Sequence, residues 1–197
     1  MVEIVKYENF KPLGKQKKKS QIILTHTGRS IENYLASLSF RYNGKFNRIP
    51  NYVIGKNGQI LQLLNNIEHT NYFKEPNLNR NGVIISLENL GWLEKQPLSD
   101  KYINWIGDIY YGKPYERKWR DYFFWDKYPL SQLESLTFLS KMIIEEMKIN
   151  KEISGHNTKI NGAEMFKGII SRSNIDSNYT DVNPSFDFDK FRNMLEI

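Results

Sequence analysis

Histidine is scarce in this 197-residue chain, with three in all, and two of them stand where an imidazole could be held for chemistry. Gln21-Ile22-Ile23-Leu24-Thr25-His26-Thr27 reads as a buried strand that runs straight into His26. A strand end of that kind fixes an imidazole at the rim of a core, which suits a metal ligand or a general base. His156 lies in the turn-like Ser154-Gly155-His156-Asn157, and Asp181 in Tyr179-Thr180-Asp181-Val182-Asn183-Pro184. Two imidazoles and one carboxylate make a catalytic zinc set, with a fourth position left for water. Zinc-bound water supplies hydroxide near neutral pH, and the metal polarises a carbonyl. Glu88 ends the strand Gly82-Val83-Ile84-Ile85-Ser86-Leu87-Glu88, where it can serve as general base. These residues are far apart in sequence, and a lone histidine or aspartate is more often structural than a ligand, so both readings stand at this point.

The elements that must position them alternate between strand and helix. A short strand and a basic loop fill residues 1–20. After the strand at 21–26, Ser30 is a good N-cap for an amphipathic helix from Ile31 to about Tyr42, stopped by Asn43-Gly44. Residues 51–54 and 59–64 read as two strands joined through Asn57-Gly58, a tight-hairpin signal. Residues 94–108 carry little pattern, and the aromatic and charged stretch Tyr115–Trp125 reads as extended. Pro129 opens the strongest helix, to about Lys148, with Leu133, Leu136, Leu139, Ile143 and Met147 on one stripe. Residues 162–170 read as a short helix, 171–180 as a polar loop, and Asp187 as the cap of a last helix carrying Phe188, Phe191 and Leu195 inward. The expected fold is a single mixed α/β domain over 1–197, with a basic extension at 1–20 and an aromatic-rich insertion at 94–128.

Composition narrows the classes. The chain is 40% hydrophobic and 14% aromatic, enough for a real core. It has no cysteine, which excludes disulfides, thiolate metal sites and a cysteine nucleophile. Its net charge of +6 suits an anionic partner without choosing one. Part of that charge is Lys11, Lys15, Lys17, Lys18 and Lys19, which read as a solvated loop. The N-terminus lacks an apolar signal segment, and no run approaches a membrane span, so synthesis in the cytoplasm is expected.

In order and chemistry, residues 20–196 resemble the type 2 N-acetylmuramoyl-L-alanine amidases, the zinc-dependent group that includes phage lysozyme-like amidases and peptidoglycan recognition proteins. The matching pieces are Ile23–Thr27, the hairpin Asn51–Ile54 with Asn57–Ile60, Glu68-His69-Thr70, Ile84–Glu88, Ser154-Gly155-His156 and Thr180–Asp187. The resemblance implies a mixed central sheet flanked by helices and hydrolysis of the amide between N-acetylmuramic acid and L-alanine in peptidoglycan. It implies Zn2+ held by His26, His156 and Asp181, with Glu88 assisting the water. It places His69, Asn51 and Tyr52 at the substrate. Tyr179 stands where such amidases often carry an oxyanion-stabilising lysine, with Lys159 or Arg172 as alternative sources of charge. The gap from His156 to Asp181 is long, so about residues 161–175 are expected to loop out, and Asp176 is a rival third ligand. The expected setting is a monomeric phage or prophage endolysin, or an enzyme recycling wall fragments. Two other readings are a binding module of the same fold without catalysis, and a nucleic-acid binder using Tyr115, Trp119, Tyr122, Phe123 and Trp125 among Arg117, Lys118 and Arg120.

Overall fold

The computed structural model describes residues 3–7 and 9–196. Met1, Val2 and Glu8 of the expected basic extension, and the terminal Ile197, lie outside the described residues. In chain order the elements are β1 (Ile4–Lys6), β2 (Gly14–Lys15), β3 (Gln21–His26), α1 (Ile31–Phe40), β4 (Tyr52–Ile54), β5 (Ile60–Gln62) and β6 (Glu68–His69). There follow α2 (Pro76–Asn81), β7 (Gly82–Leu87), β8 (Trp92–Lys95), β9 (Tyr102–Ile103), β10 (Ile109–Tyr110), β11 (Tyr115–Trp119) and β12 (Tyr122–Trp125). The chain closes with α3 (Leu130–Met147), β13 (Gly168–Ser171), α4 (Arg172–Ile175) and α5 (Phe188–Glu196).

A six-stranded sheet in the order β1-β5-β4-β7-β3-β13 forms the centre. It is mixed: β4 and β5 are antiparallel, whereas β3 lies parallel to both β7 and β13. Helices cover both faces, as the resemblance implied. Ile22, Leu24, Ile54 and Ile85 point to the side covered by Leu136, Leu139 and Ile143 of α3 and Phe191 of α5. The intervening Ile23 and Ile84 face Leu78 of α2, and Val53 faces Tyr34 and Leu38 of α1. A parallel strand buried on both faces has no polar side to show, which is why β3 reads as an unbroken apolar run.

Local chemistry sets the ends of these elements. Ser30 Oγ accepts from Asn33 N at 3.3 Å and caps α1, and Asp187 Oδ1 accepts from Lys190 N at 2.9 Å ahead of α5. The β4–β5 turn uses Gly58 at φ +87, where a Cβ would also stand 2.9 Å from Ser135 Oγ, so only glycine fits. Ser131 and Ser135 at the start of α3 donate to the carbonyls of Lys56 and Gly58, at 2.6 and 2.7 Å, and pin that turn. A second sheet of five strands, in the order β10-β9-β8-β12-β11, is built from the aromatic-rich segment. No helix among the described residues is long and apolar enough to cross a membrane.

Two expectations are corrected. Residues 161–175 do not loop out. Gly168–Ser171 is a fully buried strand beside β3, and α4 follows it directly. The four-residue run Gly168-Ile169-Ile170-Ser171 is too short to show a period, so helix and strand could not be separated in it. Lys19 is not part of a solvated loop, for it is only 2% exposed and donates to Gly82 O at 3.1 Å. Burial pulls its pKa down from 10.5 to about 8.

The folded protein therefore releases the Lys19 proton at lower pH than the unfolded chain does. Between about pH 8 and 10.5 the unfolded state holds more protons, so this group makes stability rise with pH in that window. The gain is at most about 3 kcal/mol. Urea midpoints for wild type and Lys19→Met across the window test this. The difference should move in favour of wild type as pH rises, and a constant difference would contradict it.

Candidate functional site

Ligands of open α/β sheets bind outside the carboxyl ends of the strands, and that is where β3 and β13 deliver His26 and Arg172. A cleft of about 430 Å³ opens there, with His26, Arg172 and Asp181 among its lining residues. His26 closes β3 as the sequence suggested. Its ring packs on Gly91, where φ is +82 and a Cβ would stand 3.1 Å from the imidazole Cε1. Its Nδ1 is buried and makes no hydrogen bond within the protein. Burial lowers the His26 pKa, Asp181 works against that, and the Arg172 charge pushes it down again. The net effect favours the neutral ring.

Asp181 is 1% exposed and faces β3. Its Oδ2 accepts from the His26 backbone N at 3.2 Å and lies 3.6 Å from the Arg172 guanidinium. The register explains the meeting. Ser171 pairs with Leu24, so the next residue of the chain leaves the sheet at the level of Thr25 and His26. The Arg172 guanidinium lies 3.4 Å from the Tyr179 ring centroid and 5.8 Å from that of Tyr72. Burial disfavours its charge, but Asp181, then Tyr72 and Tyr179, outweigh this and raise its pKa. The segment that carries Asp181 is itself anchored. Asn183 Nδ2 donates to Asn89 Oδ1 at 2.9 Å and to Asp126 O at 3.0 Å. The Asp126 carboxylate in turn takes Lys56 Nζ and Leu90 N, each at 2.7 Å.

Most of the other residues expected at the site lie elsewhere. His156 is exposed, and its Nδ1 accepts from Thr158 N at 3.1 Å within its own turn. It does not join His26 and Asp181, because β13 takes the place beside β3 that the turn would need. Asp176 caps a turn through Asn178 N at 2.9 Å and is not a cleft residue. Glu88 spends both oxygens on backbone donors, Ile31 N at 3.1 Å and Lys56 N at 2.8 Å, and ties α1 to the β4–β5 turn. Tyr179 does line the cleft, but its ring is the floor under Arg172, and its carbonyl accepts from Arg120. Asn51 is 1% exposed and bonds Asn65 O, Glu68 O and Ile84 N, which makes it a scaffold residue rather than a substrate contact. Tyr52 is 3% exposed, with its hydroxyl donating to Asn66 at 2.9 Å, so it too is structural. His69 packs over Gly14 in the β2–β6 ladder and lies outside the cleft; burial, then Lys19 and Arg80, lower its pKa.

Catalytic zinc takes three protein donors and leaves one position open. His26, with its unpartnered Nδ1, and Asp181 supply two. Among the described residues no group of three histidine, cysteine, aspartate or glutamate side chains could hold a metal. Arg172 already engages the carboxylate. A divalent ion about 4 Å from that guanidinium would meet a repulsion of about 8 kcal/mol at an effective dielectric constant near 20. The residues present therefore do not fit a resident zinc.

What the cleft does offer is fixed positive charge between aromatic faces. Arg29, Arg41, Arg48 and Arg172 line it, against Asp181 as its single carboxylate. Arg29 lies 5.2 Å over Trp105, whose Nε1 is anchored on Gly28 O at 3.0 Å. Arg41 lies 5.1 Å over Phe46. The Nε atoms of Arg29 and Arg172 are buried and make no hydrogen bond within the protein. In the sequence Arg172 stands out only as an alternative source of charge, and no motif marks Arg29, Arg41, Arg48 or Trp105. Arg29, Arg41 and Trp105 sit in segments read as turn, helix end and unpatterned loop, and Arg48 between a helix and a strand.

Comparison with known proteins agrees with this architecture. The model of the N-acetylmuramoyl-L-alanine amidase family matches residues 15–167, most of the chain. The chain belongs to that family. The match ends just before β13, so Arg172 and Asp181 lie beyond it. Among solved structures, the amidase LysC of Clostridium intestinale URNW is 13% identical, with 100% of this chain and 99% of that one covered and a TM-score of 0.56. AmiD of E. coli, solved with anhydro-N-acetylmuramic acid-L-Ala-D-gamma-Glu-L-Lys, is 16% identical, with 94% and 60% covered and a TM-score of 0.55. Staphylococcus aureus AmiA is 7% identical, with 99% and 81% covered and a TM-score of 0.57. At these identities the likeness is one of fold. No curated protein sequence matches the chain.

Two stability measurements follow. Asp181→Asn strands a mostly buried cation and should cost about 3 kcal/mol or more. Adding Arg172→Met should recover part of that loss, and strict additivity would contradict a coupled pair. Glu88→Gln should lower the urea midpoint by about 1–3 kcal/mol of stability, since one backbone donor loses its charged acceptor. A wild-type midpoint would contradict the anchoring role.

Proposed function

We propose that this protein is directed at peptidoglycan and holds the muramyl end of a stem peptide in the cleft at the ends of β3 and β13. The observation that carries this reading is the convergence of four arginines on a cleft whose single carboxylate is already engaged. Stem peptides bear carboxylates, which guanidinium groups bind in a planar, two-point geometry. The exposed Trp105 and the partly buried Trp92 offer flat apolar faces to a sugar ring. Family membership supplies the substrate class, and the muramyl tripeptide held by AmiD is the kind of fragment the cleft would take.

Hydrolysis of the amide between N-acetylmuramic acid and L-alanine is the second reading. Family membership and the unpartnered Nδ1 of His26 at the cleft favour it. In the zinc form expected from the sequence, it would require Arg172 to leave Asp181 and a third donor to arrive. An endolysin setting is compatible with either reading, since net positive charge favours contact with anionic wall polymers. The nucleic-acid reading loses its support. Tyr122 has one face stacked on Trp92 at 4.5 Å, Trp119 packs on Trp125 at 5.4 Å, and Trp125 is fully buried, so three of those five aromatics are engaged within the protein.

Sedimentation with purified peptidoglycan, read together with chromatography for released stem peptide, tests both readings. Wild type should co-sediment, and Arg29→Ala with Arg48→Ala should weaken binding by about tenfold, a loss near 1.4 kcal/mol. Wild type that stays in the supernatant would overturn the proposal. Release of stem peptide would establish the second reading.

A further inference from the structure

We infer that Arg172 replaces a metal ion as the fixed cation of this cleft, so that the protein binds a carboxylate-bearing muropeptide without a metal and retains it uncleaved. The inference rests on the peptidoglycan reading above and deepens it.

The placement of Arg172 is built rather than incidental. β13 is locked to β3 over four paired residues, so the residue after Ser171 has one place to emerge. Ser171 N and Oγ both donate to Asn174 Oδ1, at 2.7 and 2.8 Å, and so close the first turn of α4 around Arg172. Asn174 Nδ2 reaches back to the carbonyls of His156 and Thr158, at 2.7 and 2.8 Å. The turn that carries His156 is thereby fastened to α4 and held away from the cleft. The Asn174 side chain that closes the turn around Arg172 also keeps the third expected donor out. Above this turn the guanidinium is stacked on Tyr179 and faces Tyr72, and one of its terminal nitrogens lies 3.6 Å from Asp181.

The consequences are chemical. Asp181 Oδ2 is shared between a backbone N–H and a guanidinium, which leaves little of it for a divalent ion. Arg172 still has a buried Nε–H without a partner, as does Arg29. Both guanidinium groups line the cleft, and a guanidinium matches an incoming carboxylate. They do not generate hydroxide, since a guanidinium neither binds water as a Lewis acid nor takes up its proton. A cleft built in this way recognises its ligand and leaves it intact.

Calorimetry on the full chain tests this with two probes: zinc alone, and anhydro-N-acetylmuramic acid-L-Ala-D-gamma-Glu-L-Lys with and without chelator. Wild type should show no saturable zinc uptake. It should bind the muropeptide with the same affinity in chelator, and the recovered ligand should be intact. Arg172→Ala should weaken the muropeptide by about tenfold or more, with Arg172→Lys in between. Arg172→His removes the cation and adds an imidazole beside Asp181, so it should gain saturable zinc binding. Zinc bound by wild type at one per chain, or muropeptide binding lost in chelator, would overturn the inference whatever the variants do. Absence of muropeptide binding in every condition would instead overturn the peptidoglycan reading, while the zinc titration alone still decides whether the cleft is a metal site.

Discussion

The ion pair between Arg172 and Asp181 is the contact on which the functional end of this molecule turns. It joins the exit of β13 to the segment leading into α5, and it does so against the backbone of His26. A carboxylate that is 1% exposed needs a partner, since an unpaired buried charge is costly. In this chain the partner is an arginine delivered by the sheet itself. The charge stays fixed at all working pH values, because the Asp181 and tyrosine contacts raise the Arg172 pKa beyond its already high value. The rest of the site follows: the His26 imidazole beside it, the Tyr179 ring stacked under it, and further arginines around the rim.

That pair is supported by a polar network with little freedom. Asp126 is fully buried and answers Lys56 and Leu90, while its carbonyl serves Asn89, Asn183 and Ser185. Buried networks of this kind stabilise only when every member is satisfied. Satisfaction here fixes three loops at once: the β4–β5 turn, the β7–β8 connection that packs Gly91 on His26, and the stretch 181–185. The second sheet contributes at the rim, where the loop after β9 sets Trp105 against Gly28 and under Arg29. The cleft is thus held by rigid elements of both sheets, which keep its side chains in fixed positions.

Much of this fold was legible in the residues because local and global preferences agree there. β3 ending at His26, the Ser30 cap, the Asn57-Gly58 turn, the α3 stripe and the Asp187 cap each carry a pattern longer than the element's own noise. The mixed sheet between helices followed from their alternation. Residues 161–175 resisted for physical reasons. Gly168–Ser171 is short, and its polar neighbours Ser171, Ser173 and Asn174 are buried because they satisfy one another, which composition cannot reveal. The signal was present in another form. Gly168-Ile169-Ile170-Ser171-Arg172 has the same shape as Ile22-Ile23-Leu24-Thr25-His26, an apolar run ending in a cationic or basic residue. Proximity of His156 to Asp181 rests on residue type and on the resemblance of Ser154-Gly155-His156 to a ligand turn, and neither says which turn reaches a strand end.

One crystallographic measurement addresses the centre of this account directly. Crystals soaked in zinc together with the muramyl tripeptide should be measured on both sides of the zinc absorption edge. The expected map has no anomalous peak between His26 and Asp181, keeps the Arg172 guanidinium on Asp181, and places a ligand carboxylate against Arg172. An anomalous peak ligated by His26 and Asp181, with Arg172 swung out of the cleft, would contradict the account and restore the metal-dependent amidase.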